Sequence, residues 1–154
     1  MPKNKKVINA TSVTSCGIKF RSKTEERVYK KLVSLGYSPK YESKKYVLWE
    51  GIVPKFPLYI DGIPQLTKKD KPKKLRDWTY TPDFILEKNG YTMIIEVKGN
   101  PNDLYPYTRK LFLKHIESLN KTYFFEVRTI RGLLITLETI EKLWEPTTST
   151  TSKD

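Results

Sequence analysis

The sequence predicts one α/β domain. A helical apolar stripe begins just after residue 22, two alternating runs meet at an Asn-Gly dipeptide, and a second helical pattern is followed by another strand-like run. A chain of 154 residues ordinarily holds one compact core. We read residues 1–19 as a basic flexible arm, 20–144 as the domain, and the Thr/Ser-rich 145–154 as a disordered tail.

The elements follow in order. Ser22 is suited to cap a helix over 23–35, with Glu25 three residues on as in a capping box and Val28, Leu32 and Leu35 as the apolar stripe ending at Gly36. A short extended stretch is expected at 37–42. Residues 44–78 contain Pro54, Pro57, Pro64 and Pro72 and read as an irregular insertion, whose second half, around Lys73, Lys74 and Arg76, is a basic run. That run is either a solvated loop or a phosphate-contacting one. Strands are expected at 80–87 and 91–98, joined by Asn89-Gly90, the dipeptide best suited to a two-residue type I′ turn. A helix with Pro106 in its first turn carries Leu111, Phe112, Ile116 and Leu119 on one side and Arg109, Lys110 and Lys114 off that stripe. A strand at 123–128 and a short helix at 136–144 complete the reading.

Lys and Arg number 29 against 17 Asp and Glu, a net charge of +12. A small domain so basic fits a polyanion, because cations near phosphates release condensed counterions. DNA is therefore the expected partner, ahead of an anionic membrane surface. No apolar run approaches the roughly 20 residues that span a bilayer, and no secretory apolar core opens the chain, so an intracellular location is expected. The one cysteine, Cys16, excludes an intramolecular disulfide and a multi-cysteine zinc site, and the one histidine, His115, speaks against a His-based triad.

The hairpin register makes a geometric claim. If Asn89 and Gly90 are the turn residues, Lys88 faces Tyr91 and Asp83 faces Glu96, which puts two carboxylates on one face of the sheet with Cβ atoms about 4.5–5.5 Å apart. Lys98, two residues past Glu96, returns to that face with Ile94 and Thr92, while Met93, Ile95 and Val97 turn to the other. Opposed carboxylates repel unless a cation or shared proton intervenes. Oxygen ligands without nearby His or Cys favour Mg²⁺ or Mn²⁺. Glu25 lies in the helix stripe that should face the sheet and can join them. Two plainer readings stay open: Glu25 as a capping-box acceptor only, and Asp83, Glu96 and Lys98 as solvent-facing strand residues with an ordinary salt bridge.

Tyr80-Thr81-Pro82-Asp83-Phe84 followed by Ile95-Glu96-Val97-Lys98-Gly99 resembles the Pro-Asp, Glu-x-Lys core of the restriction-endonuclease-like, or PD-(D/E)XK, nuclease superfamily. Phe20-Arg21-Ser22, Glu25, Gly36 and Tyr41-Glu42 precede it in the order found in endonuclease I-type Holliday-junction resolvases of phages, a likeness covering 20–99 except the insertion. The stretch 96–112 is also similar to other phage proteins with this core. The resemblance implies a restriction-endonuclease-like fold, with a central mixed sheet of about four strands flanked by helices. It further implies that Asp83, Glu96 and the backbone carbonyl of Val97 ligate Mg²⁺, that Glu25 holds a second ion or its water, and that Lys98 orients or activates the attacking water. The catalytic set is then Glu25, Asp83, Glu96 and Lys98, with Arg21, Lys73, Lys74, Arg109, Lys110 and Lys114 as candidate DNA contacts. The expected function is a metal-dependent DNA endonuclease selective for branched DNA, possible as a homodimer. Alternatives are another phage nuclease role (nicking, host-DNA degradation or genome processing) and a non-catalytic DNA-binding module.

Overall fold

A computed structural model describes residues 11–56, 58–65, 67–68, 71–72, 74–99 and 102–144. Lys3, Lys5 and Lys6 of the expected arm, Lys73, and the expected tail at 145–154 lie outside the described residues.

The centre is a four-stranded mixed sheet. Strands β1 (Val13–Ser15) and β2 (Ile18–Phe20) form a small hairpin that precedes helix α1 (Lys23–Ser34), and β3 (Lys40–Tyr41) follows. Next come β4 (Tyr46–Trp49), β5 (Leu58–Ile60), β6 (Ile63–Gln65), β7 (Thr67–Lys68), β8 (Lys71–Pro72) and β9 (Trp78–Tyr80). The last third holds β10 (Phe84–Lys88), β11 (Tyr91–Val97), α2 (Tyr105–Ile116), β12 (Thr122–Val127) and α3 (Ile130–Trp144). The sheet order is β12-β11-β10-β3. The β11–β12 pair is parallel, bridged by α2 as a parallel crossover requires, and the other two pairs are antiparallel.

Both faces of this sheet are covered. On one side Phe84, Leu86, Met93, Ile95 and Val97 pack with Val28 and Leu32 of α1 and Leu133, Leu137 and Ile140 of α3. On the other, Ile85 and Ile94 pack with Phe112 and Ile116 of α2 and with Tyr46 and Tyr80. The alternation of β11 therefore buries apolar side chains on both sides, and Met93 through Val97 are all buried.

The hairpin register is as the Asn-Gly turn predicts. Lys88 pairs with Tyr91 and Phe84 with Ile95, while Asn89 and Gly90 adopt φ of 54° and 76°, the two left-handed positions of a type I′ turn.

Five expectations need correction. The arm is not wholly irregular: residues 13–20 pair as β1–β2 around Cys16-Gly17, which have φ of 53° and 75°. The expected insertion contains three strand pairings, and its first strand, β4, pairs with β9. The single strand expected at 80–87 is broken, because Pro82 offers no N–H and separates β9 from β10 into different sheets. On α2 the buried residues are Tyr105, Phe112 and Ile116, whereas Leu111 and Leu119 are exposed. Helix α3 starts at Ile130 rather than 136, with Thr129 Oγ1 accepting from Gly132 N at 3.0 Å and Thr129 O from Leu133 N at 2.9 Å. No described helix is long and apolar enough to cross a membrane.

Candidate active site

Where Pro82 ends the β9 side and β10 begins, Asp83 sits just before the first residue of the ladder, opposite Glu96. Its Oδ2 accepts from Val97 N at 2.7 Å, and its own backbone N lies 3.4 Å from Glu96 Oε2. Both side chains are buried, at 7% and 3% exposed. Burial in the first place, then the charge of Glu96, pushes the Asp83 carboxyl up to about 8; the Val97 amide pulls the other way. Among the described residues no donor reaches Asp83 Oδ1.

Glu96 is held from three directions. Tyr80 OH donates to Oε2 at 2.5 Å, the Asp83 amide approaches the same oxygen, and Lys98 Nζ lies 2.6 Å from Oε1. Burial, reinforced by Glu96, raises the Tyr80 hydroxyl far above its ordinary range, so it remains a donor at any working pH. The Lys98 ammonium also stands 4.0 Å over the Tyr105 ring, which fixes it between a carboxylate and an aromatic face. Of the two buried carboxylates, Glu96 is thus paired with the ammonium and Asp83 with none among the described residues.

Glu25 is buried at the start of α1. Ser22 Oγ accepts from Glu25 N at 3.2 Å, and the Glu25 carboxylate accepts from Ser22 Oγ at 2.8 Å, Arg21 N at 3.0 Å and Tyr41 OH at 2.6 Å. Capping and the site are connected through Tyr41, which pairs with Phe84 across β3–β10, while Glu42 N donates to Asp83 O at 2.9 Å. Glu25 reaches the same end of the sheet and its charge bears on Asp83, but no hydrogen bond joins it to Asp83 or Glu96. Among the described residues no group of three or more His, Cys, Asp or Glu side chains is arranged to hold a metal ion.

A match to a family model covers residues 5–131. The chain belongs to DUF1064, a protein family of unknown function. Comparison with curated proteins and with solved structures found no match.

In this DUF1064 chain the candidate DNA contacts divide by partner. Arg21 Nε lies 2.7 Å from Glu42, Arg109 Nε 3.4 Å from Glu126, and Lys114 Nζ 2.6 Å from Glu117, while Lys74 stands 3.9 Å from Asp77. Lys110 is exposed with no ion-pair partner among the described residues, and Lys73 lies outside them. His115 is half-buried against the edge of Tyr46, and Cys16 is exposed in its turn.

Five site residues, Tyr41, Glu42, Tyr80, Tyr105 and Glu126, carry no role that the sequence alone assigns. Tyr80 and Tyr41 stand inside the quoted motifs, but a tyrosine's direction is set only once β9 and β3 are placed. Glu42, at φ 42°, has its carboxyl raised by burial, lowered by Arg21 and raised again by Glu25 and Glu96, so acidic charge extends from the site to α1. Glu126 faces Glu96 across the parallel β11–β12 pair. Burial opposes its ionisation, but Tyr105 OH at 2.9 Å, Arg128 and Arg109 together hold it below the usual range. Parallel register depends on the α2 crossover and left no local signal.

Proposed function

We propose that the chain is a metal-dependent endodeoxyribonuclease with a restriction-endonuclease-like core, hydrolysing phosphodiester bonds at Asp83, Glu96 and Lys98. The observation that carries this reading is the burial of two adjacent carboxylates of which, among the described residues, only Glu96 is paired with an ammonium, an arrangement that costs stability unless a further cation is bound. The residues fit that cation. Asp83 keeps one oxygen without a donor among the described residues, and the donor set is oxygen alone. Mg²⁺ typically takes one or two protein carboxylates and completes its shell with water and substrate phosphate, so a two-carboxylate site suits it without a third acidic ligand.

Bound there, Mg²⁺ or Mn²⁺ would supply Lewis acidity at the phosphate. The remaining work falls to the chain. Val97 N–H and Tyr80 OH aim the two carboxylates, and Lys98, steered by Glu96 and the Tyr105 ring, presents its ammonium where negative charge grows on the phosphoryl oxygens and where a water can be oriented. Glu25 acts as a positioning residue that locks Ser22, Arg21 and Tyr41 against the strand carrying Asp83. The net charge of +12 supplies the general attraction to DNA.

The test is cleavage of supercoiled plasmid, linear duplex and a synthetic four-way junction by the purified chain in Mg²⁺, Mn²⁺, Ca²⁺ or EDTA. Cleavage is expected with Mg²⁺ or Mn²⁺ alone, and Asp83→Ala or Lys98→Ala should reduce it by about 10²–10³-fold while DNA binding in Ca²⁺ persists. Absence of cleavage on every form would reduce the chain to a DNA-binding module. Equal rates on junction and duplex would remove branch selectivity.

A further inference from the structure

We infer that the β4–β9 ribbon is a stacking platform for unpaired DNA bases, so that the preferred substrate carries a single-stranded segment beside the bond to be cut. The inference rests on the nuclease reading only for that last clause; the binding itself stands apart from it.

The ribbon leads away from the site. Tyr80, the residue bonded to Glu96, is paired with Tyr46, and both are buried. Two residues earlier on β9, a step of about 7 Å along a strand, stands Trp78. A bulge between Val47 and Trp49 brings Trp49 opposite Trp78. These two large aromatic side chains are 47% and 36% exposed, for Trp49 and Trp78, and neither stacks on another ring among the described residues. Trp78 is held in place, since its Nε1 donates to Thr108 Oγ1 of α2 at 3.1 Å, one turn beyond Tyr105 and next to Arg109. A fixed, exposed indole with an open face is costly to leave in water, and it is the group on which a base stacks.

Charge identifies the occupant. Residues 44–79 hold nine Lys or Arg against four Asp or Glu. Lys44 and Lys45 lead into β4, both exposed, and a shallow cleft of about 340 Å³ is lined by Lys74, Leu75, Arg76 and Asp77, the residues that immediately precede Trp78 in the chain. Glu50 and Asp77 lie in the same region, and Asp77 is engaged by Gly51 N at 2.8 Å. Aromatic faces interleaved with cations are the chemistry that holds single strands, bases on the rings and phosphates on the cations. In intact duplex the base faces are already stacked, so the indoles have nothing to take.

The test measures the anisotropy of a labelled oligothymidylate and of a blunt duplex of equal length with the full chain in Ca²⁺, where binding is read without cutting. The oligothymidylate is expected to bind with quenching of indole fluorescence; Trp144, buried on α3, should be silent. Trp49→Leu and Trp78→Leu should each weaken oligothymidylate binding by about tenfold and leave duplex binding within about twofold, whereas Trp78→Phe, which keeps a ring, should restore most of it. Equal losses on both DNAs, or no loss on either, would overturn the platform. So would a dimer of the unaltered chain in sedimentation that Trp49→Leu dissociates, which would make the surface a contact between copies. If oligothymidylate binding depends on the indoles but no DNA is ever cut, the nuclease reading fails and the platform stands. If duplex is cut in Mg²⁺ and the Leu variants bind the single strand unchanged, the platform fails alone.

Discussion

Asp83 is pressed by burial and by Glu96 toward its neutral form, against the pull of the Val97 amide and of Lys98. The folded carboxyl at about 8 stands above an unfolded value near 3.8, so the folded state retains a proton that the unfolded state has lost. Between those two values the metal-free protein loses stability as pH rises, and below the lower one nothing is lost. Asp83→Asn keeps an oxygen for Val97 N–H and removes the charge. It should therefore raise the melting temperature in EDTA at pH 8 and do so progressively less toward pH 5, the difference amounting to at least ~1 kcal/mol since a tenfold change in proton affinity is worth about 1.4 kcal/mol. Scanning fluorimetry across that range measures it. Stabilisation by Mn²⁺ should run the other way, growing with pH because binding releases the proton, and it should vanish in Asp83→Asn. A variant offset that does not change with pH would remove the account of this carboxyl.

At the level of elements, the start of α1 joins a helix cap to the site. Ser22 Oγ both accepts from Glu25 N and donates to the Glu25 carboxylate, so Ser22→Ala should cost about 1 kcal/mol as a lost cap and also release Glu25 from one of its three donors. Chemical denaturation gives the first quantity, and faster amide exchange at Arg21 gives the second. This element was legible in the sequence because its signals are local: a capping residue, an acid three positions on, a stripe. The Asn89-Gly90 register was legible for the same reason, since two residues suited to positive φ fix every pair behind them, and with it the approach of Asp83 to Glu96. Cys16-Gly17 makes the same backbone turn, but β1 and β2 are three residues each, too short to show alternation. The start of α3 was hidden because its cap, Thr129, precedes Ile130, Ile135 and Gly132, residues that read as poor helix formers until Leu133, Leu137 and Ile140 are seen to share a buried face. Glu126 and Tyr105 could not be placed, because pairing β12 beside β11 is decided by how α2 packs, a tertiary matter.

At the scale of the whole molecule, the sheet separates two layers that meet the site differently. Ile95 faces α1 and α3, while its neighbour Ile94 faces α2 and the cluster that includes Tyr80. Ile94→Val and Ile95→Val should each cost about 0.5–1.5 kcal/mol, yet hydrogen exchange should quicken in α2 for the first and in α1 and α3 for the second. Indistinguishable exchange maps would mean the layers are not separable. Net charge acts over the same scale, and it is felt through cations that no acid already neutralises. On α2, Lys114 lies 2.6 Å from Glu117 and Arg109 is engaged with Glu126, whereas Lys110 faces solvent with no ion-pair partner among the described residues. A cation that meets a phosphate releases counterions, which lowers the slope of log affinity against log salt by about 0.9 per duplex phosphate. Lys110→Gln should therefore make that slope shallower by about one for duplex DNA in Ca²⁺, and Lys114→Gln by clearly less, because Glu117 offsets its charge before DNA arrives. Titrations at several salt concentrations give both slopes, and an unchanged slope in Lys110→Gln would take α2 out of the DNA-facing surface.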